Sequence, residues 1–99
     1  MTLFVHDGEN IPTAPSKDPE ETLSYGWDFT AELGDGETIS ASVWDLPEDL
    51  TEVDSSHAAG ITEVKISGGK IDNEYTIKNT ITTTDKVMVR RLTIPCKLL

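Results

Sequence analysis

A chain of 99 residues has room for one domain and one hydrophobic core, burying about 60 to 70% of the surface that the unfolded chain exposes. Its formal charge of −10 argues against non-specific nucleic-acid binding, which needs a dense basic patch that Arg90-Arg91 alone does not supply. A single cysteine, Cys96, excludes an intramolecular disulfide and a zinc ligand set of the usual kind; it is expected as a small buried hydrophobe on the last strand.

The charge is unevenly spread. Residues 1–63 hold one basic residue, Lys17, against fifteen acids, whereas residues 64–99 hold seven Lys or Arg against Asp72, Glu74 and Asp85. The two halves can attract each other within one fold or between neighbouring subunits. The N-terminus has neither a basic n-region nor a long apolar run, so it does not read as a signal peptide. No stretch approaches the ~20 apolar residues of a membrane span, and the chain reads as made in a cytoplasm and soluble there.

In chain order, residues 1–18 read as an extended arm, because Pro12, Pro15 and Pro19 remove donors and push the residues before them out of helical geometry. The arm is nevertheless apolar at Leu3, Phe4, Val5 and Ile11. Either Leu3 to Val5 adds an edge strand to its own domain, or the arm packs on a neighbouring copy. Residues 19–99 form the domain proper. Leu23 to Leu33 reads as the first strand, with Tyr25, Trp27, Phe29, Ala31 and Leu33 on one parity. Gly34-Asp35-Gly36-Glu37 reads as a hairpin loop to a partner strand, Thr38 to Val43, with Ile39, Ala41 and Val43 inward. Trp44 breaks that phase, which marks either a bulge or a side chain covering the outer face.

Glu48 to Ala59 has the character of an irregular crossover pinned by Leu50 and Val53, with at most one helical turn after Pro47. Ile61 to Ser67 returns to strand, with Val64 and Ile66 on one parity. Ile71 to Thr84 and Val87 to Leu98 then form a long antiparallel hairpin. In it Tyr75, Ile77 and Ile81 face a core, and Thr76, Lys78, Thr80, Thr82 and Thr84 form a polar ladder opposite. Val87 and Val89 have the opposite parity to Leu92 and Ile94, and a bulge near Arg90-Arg91 would reconcile them while aiming an arginine outward as an interface anchor. Short strands with turn signals every 8–14 residues predict an all-β, Ig-like β-sandwich of about seven antiparallel strands. Its core would take Trp27, Phe29, Ile39, Val43, Val64, Ile66, Tyr75, Ile77, Ile81, Leu92 and Ile94.

Catalytic chemistry is not spelled out. His6 and His57 are the groups that titrate near neutrality, and neither stands in a motif; Asp54-Ser55-Ser56-His57 is a run of neighbours, whereas a triad converges from separate elements. The acidic loops around Glu20-Glu21, Asp35-Gly36-Glu37 and Glu48-Asp49 lack the twelve-residue calcium pattern and read as solvated charge. Gly68-Gly69-Lys70 reads as a β-turn, since no helix or following Ser or Thr makes it a phosphate loop. No catalytic residue, metal ligand or cofactor is therefore assigned. The candidate interface residues are Leu3, Phe4, Val5, Ile11, Trp44, Arg90 and Arg91.

The ordered segments Lys17-Asp18-Pro19-Glu20-Glu21-Thr22-Leu23-Ser24-Tyr25, Trp27-Asp28-Phe29, Gly34-Asp35-Gly36-Glu37-Thr38-Ile39-Ser40, Val64-Lys65-Ile66-Ser67-Gly68-Gly69, Tyr75-Thr76-Ile77-Lys78-Asn79-Thr80-Ile81-Thr82-Thr83 and Arg90-Arg91-Leu92-Thr93-Ile94 resemble small tailed-phage virion proteins of the fiber-tail adaptor or neck and tail type. The resemblance covers residues 17–96. Where that pattern more often has a glycine-bearing corner before the last strand, this chain has Asp85-Lys86-Val87. The resemblance implies a non-enzymatic sandwich without cofactor, present in several copies at the neck or tail of a virion. Its partners would be the tail or portal-proximal ring, the fibers and further copies of itself, with no nucleic acid or membrane contact. Two other readings stand beside it: an adhesion or carbohydrate-binding module, which would expose Trp27 or Trp44, and a calcium-stabilised module.

Overall fold

Side chains alternate across a strand, so a strand in the middle of a half-buried sheet buries every second residue. Two strands show this without interruption in the computed structural model, which describes residues 11–99. They are β4 (Ile61–Gly68), with Thr62, Val64 and Ile66 buried, and β5 (Glu74–Thr83), with Tyr75, Ile77, Asn79, Ile81 and Thr83 buried. Each is the centre of a three-stranded antiparallel sheet. The first sheet has the order β1 (Leu23–Asp28), β4, β3 (Leu50–Ala58), and the second the order β2 (Ile39–Asp45), β5, β6 (Val87–Pro95). Their inner faces share one core built on Trp44, Leu50, Val64, Ile66, Tyr75, Ile77, Ile94 and Cys96. The fold is all-β and compatible with the expected sandwich. Beside the six strands, residues 12–17 run parallel to the end of β6 through bridges Thr13 to Thr93 and Lys17 to Cys96.

The long C-terminal hairpin forms as expected, but its register corrects one inference. Pairing runs without a break from Glu74 and Pro95 to Thr82 and Val87, so there is no bulge at Arg90-Arg91. The valines differ in parity from Leu92 and Ile94 because they point outward: Val87 is 62% exposed. The corner needs no glycine. The Thr83 hydroxyl accepts from the Asp85 and Lys86 amides at 3.1 and 2.9 Å, a side-chain substitute for backbone turn bonding.

The first half departs further from expectation. The predicted strand Leu23 to Leu33 ends at Asp28, whose carboxylate accepts from the Thr30 amide and hydroxyl at 2.9 and 2.7 Å. This local competition with the ladder starts a 3-10 turn, Thr30–Glu32. Gly34 to Glu37 is a tight turn, closed by Glu37 N–H to Gly34 O at 3.0 Å, but it does not make a hairpin. β1 pairs with β4 and β2 pairs with β5, so the turn carries the chain from one sheet to the other. A register shift between Ile39 and Ala41 then resets the phase of β2. Trp44 enters the core and Val43, expected inward, is 55% exposed; Ala41 is exposed as well.

The region expected as an irregular crossover is β3, paired with β4 over Leu50 to Ala58 and closed by a two-residue turn at Ala59 and Gly60. Both turn residues have positive φ, 53° and 83°, the twist that suits a two-residue hairpin. β3 escaped notice because every residue from 51 to 58 is exposed, leaving no alternation to read. Of the predicted core, Trp27, Ile39 and Leu92 are half-buried, while Phe29, Val64, Ile66, Tyr75, Ile77, Ile81 and Ile94 are buried.

Polar groups fix how the sheets meet. Thr62 on β4 donates to Asn79 on β5 at 2.7 Å, and Asn79 donates in turn to Ser42 Oγ and Val43 O at 3.0 and 3.1 Å. Because Thr62 and Asn79 are fully buried, a slipped alignment would strand these groups without partners.

Candidate protein interface

The seven candidate residues fall into different surroundings. Leu3, Phe4 and Val5 lie outside the described residues. Ile11 is exposed at the start of the segment that joins β6. That segment is held by the backbone: Thr93 N–H to Pro12 O, Ala14 N–H to Thr93 O, Lys17 N–H to Pro95 O and Lys97 N–H to Lys17 O, all at 2.8–2.9 Å. Lys17 is fully buried, and its ammonium donates to Gly68 O at 2.7 Å and Asp18 O at 3.1 Å. Placing a lysine there costs desolvation, so these carbonyls are what make the position tenable. The Asp18 carboxylate accepts from the Leu99 and Glu20 amides, which hold it below the usual carboxylate range and tie the chain's entry to its end. Sequence reasoning had no signal for Lys17 as an anchor.

Trp44 is 7% exposed and packs among Leu50, Tyr75 and Ile77, so its indole contributes to the core. Trp27 is half-buried against the same cluster. The tryptophan face that an adhesion module would present to a sugar is turned between the sheets.

The two arginines separate across the sheet because neighbours in a strand point to opposite faces. Arg90, opposite Asn79, leans inward with its guanidinium carbon 5.4 Å from the centre of the Phe29 ring. It also approaches Glu32 at 3.8 Å. It is therefore occupied in holding the crossover against the hairpin. Beside it, the Lys86 ammonium bonds Glu32 O at 2.9 Å and Glu37 at 3.1 Å. Glu37 is buried and accepts further from the Thr83 hydroxyl and the Gly34 amide. The Thr83 hydroxyl, then the Gly34 amide and Lys86, hold the Glu37 carboxyl down at about 2.

Arg91 points the other way, into the outer face of the β2–β5–β6 sheet. That face has three rows across the strands: Asp45, Lys78 and Arg91; Val43, Thr80 and Val89; and Ala41, Thr82 and Val87. The opposite outer face, on β1–β4–β3, reads Ser24, Lys65 and Asp54; Gly26, Glu63 and Ser56; and Asp28, Ile61 and Ala58. One face is valine and threonine beside a charged row; the other is mostly small and polar, with three acids, Lys65 and one large apolar side chain, Ile61. Sequence reasoning assigned the threonine ladder to the first face and one of the two arginines to an outward position, without saying which, and missed Val43, because the phase of β2 was inverted.

His57 stands on exposed β3 opposite Thr62, and Asp54 stands three residues back opposite Lys65. Their backbones are about 10 Å apart along the strand, so the run does not converge as a triad does. Among the described residues, no group of three or more His, Cys, Asp or Glu side chains gathers as a metal site would.

A search of curated proteins finds no match. A family model described as podophage GP4 fiber-tail adaptor protein gp77 matches residues 17–95, a span that begins at the buried lysine and ends with the last residue of β6. The chain belongs to this fiber-tail adaptor family.

Proposed function

We propose that this protein is a structural component of a podophage tail, an adaptor that links the tail or portal-proximal ring to fibers or other tail parts without catalysing a reaction. The observation that carries the reading is the extent of the family match, which covers all six strands found among the described residues. The sandwich is the part of the chain that the family model matches, and residues 1–16 lie ahead of it in the chain as an extension. Residues 12–17 are hydrogen-bonded to β6, so the extension is anchored at the edge of the second sheet. From that anchor the apolar side chains Leu3, Phe4, Val5 and Ile11 serve as the contact to a neighbouring virion protein. An extended apolar segment added to a sheet edge or groove gains affinity from main-chain bonds and specificity from alternate side chains.

The test is assembly of phage particles with Leu3, Phe4 and Val5 replaced together by serine. The variant should fold as the parent does by circular dichroism and thermal melting, yet be missing from purified virions by mass spectrometry. Normal incorporation of the variant would remove the arm from the contact. Absence of the parent chain from virions would overturn the adaptor reading itself.

A further inference from the structure

We propose that the outer face of the β2–β5–β6 sheet is a self-complementary surface on which a second copy of this chain docks, face to face, about a twofold axis running along β5. This deepens the adaptor reading by naming a face and its occupant, and rests on that reading only for the use of several copies in a virion.

The argument lies in the three rows. An axis along β5, in the plane between two stacked faces, exchanges the β2 side of one copy for the β6 side of the other and keeps each row in place. Val43 then meets Val89 of the second copy, Ala41 meets Val87, and Thr80 and Thr82 meet their own counterparts. Side chains 55% and 62% exposed at Val43 and Val87 pass from water into an apolar contact, the ordinary driving force of such a surface. In the charged row, Asp45 meets Arg91 of the second copy, and Arg91 meets its Asp45, so one operation makes two ion pairs. Lys78 falls on the axis and meets its own counterpart; it is bridged to Asp45 of its own copy at 3.7 Å, and its long stem lets the ammonium leave the centre.

The other outer face gains less from the same operation. An axis along β4 would set Lys65 against Lys65, Glu63 against Glu63 and Ile61 against Ile61, and would pair Asp54 with Ser24 and Asp28 with Ala58, so that no ion pair forms between copies and the one apolar contact is Ile61 with its counterpart. The β3 edge beside it carries Glu52, Asp54 and a register shift between them, features that discourage strand pairing. Charge and apolar pattern thus select the β2–β5–β6 face.

Sedimentation of the full-length chain from about 1 µM to about 1 mM, with melting curves as a check on folding, tests this. The parent should dimerise. Asp45→Arg should set arginine against arginine and Arg91→Asp should set aspartate against aspartate, so each variant alone should weaken the dimer about tenfold or more. An equimolar mixture of the two restores both ion pairs and should dimerise as the parent does. A parent that stays monomeric throughout, or a mixture no better than the single variants, overturns the proposal. So does loss of dimerisation on replacing Leu3, Phe4 and Val5 by serine, which would assign the self-contact to the arm. Because the readout is self-association in solution, failure here is distinct from failure to enter virions.

Discussion

The two sheets have the same strand number and the same antiparallel pairing, and their central strands bury alternate residues equally well, yet they face outward with different chemistry. On β1–β4–β3 the outer rows are mainly serine, glycine and charged residues, with Ile61 and Ala58 in the last row, and the edge strand β3 is exposed along almost its whole length. On β2–β5–β6 the outer rows carry valine and threonine, and the β6 edge takes up residues 12–17. The inner face of a sheet answers to the core, so it is constrained alike on both sides. The outer face answers only to what the surface meets, so the two outer faces are free to differ.

The largest expected effect probes the equality of the two interiors. Ile66→Ala on β4 and Ile77→Ala on β5 each remove a fully buried side chain and should each cost about 2–5 kcal/mol in urea unfolding. A much smaller cost on β4 would show that the β1–β4–β3 sheet is the looser half. Next comes the polar link between them. Asn79→Ala should destabilise by about 1–3 kcal/mol, because Val43 O and Thr62 lose a buried partner. The pair Thr62→Val with Asn79→Ala should cost less than the sum of the single changes, as measured by a double-mutant cycle.

The crossover clasp gives a pH-dependent effect. The Thr83 hydroxyl, the Gly34 amide and Lys86 hold the Glu37 carboxyl down at about 2 in the folded chain, below its ordinary value of 4.5, so its contribution is complete above 4.5 and is lost as pH falls through about 2. The melting temperature of the parent should therefore drop between these values, and Glu37→Gln should flatten that part of the curve while lowering stability at neutral pH. The smallest effect belongs to the outer rows. Val87→Thr should leave the unfolding free energy within about 0.5 kcal/mol of the parent, and a larger loss would mean that the valine face also supports the fold.

Legibility in the sequence followed burial. The period-2 pattern of Val64 and Ile66, and of Tyr75, Ile77 and Ile81, is imposed by a core on one side, and those strands were readable with their inward faces. β3 was unreadable, since a strand exposed on both faces has no such pattern. Arg90 and Arg91 were recognisable as important, but a string of residues does not say which of two neighbours turns inward to Phe29 and which turns out beside Lys78.

By itself the sequence determined an all-β chain, its long C-terminal hairpin, most of the core residues and the family resemblance across residues 17–96, because these rest on local alternation and on the order of short motifs. The tertiary structure alone decided that β1 pairs with β4 and β2 with β5, that Trp44 replaces Val43 in the core, and that Lys17 is buried beneath Gly68. Those outcomes depend on contacts between residues far apart in the chain, where one register shift inverts a face and no local pattern records which strand lies alongside.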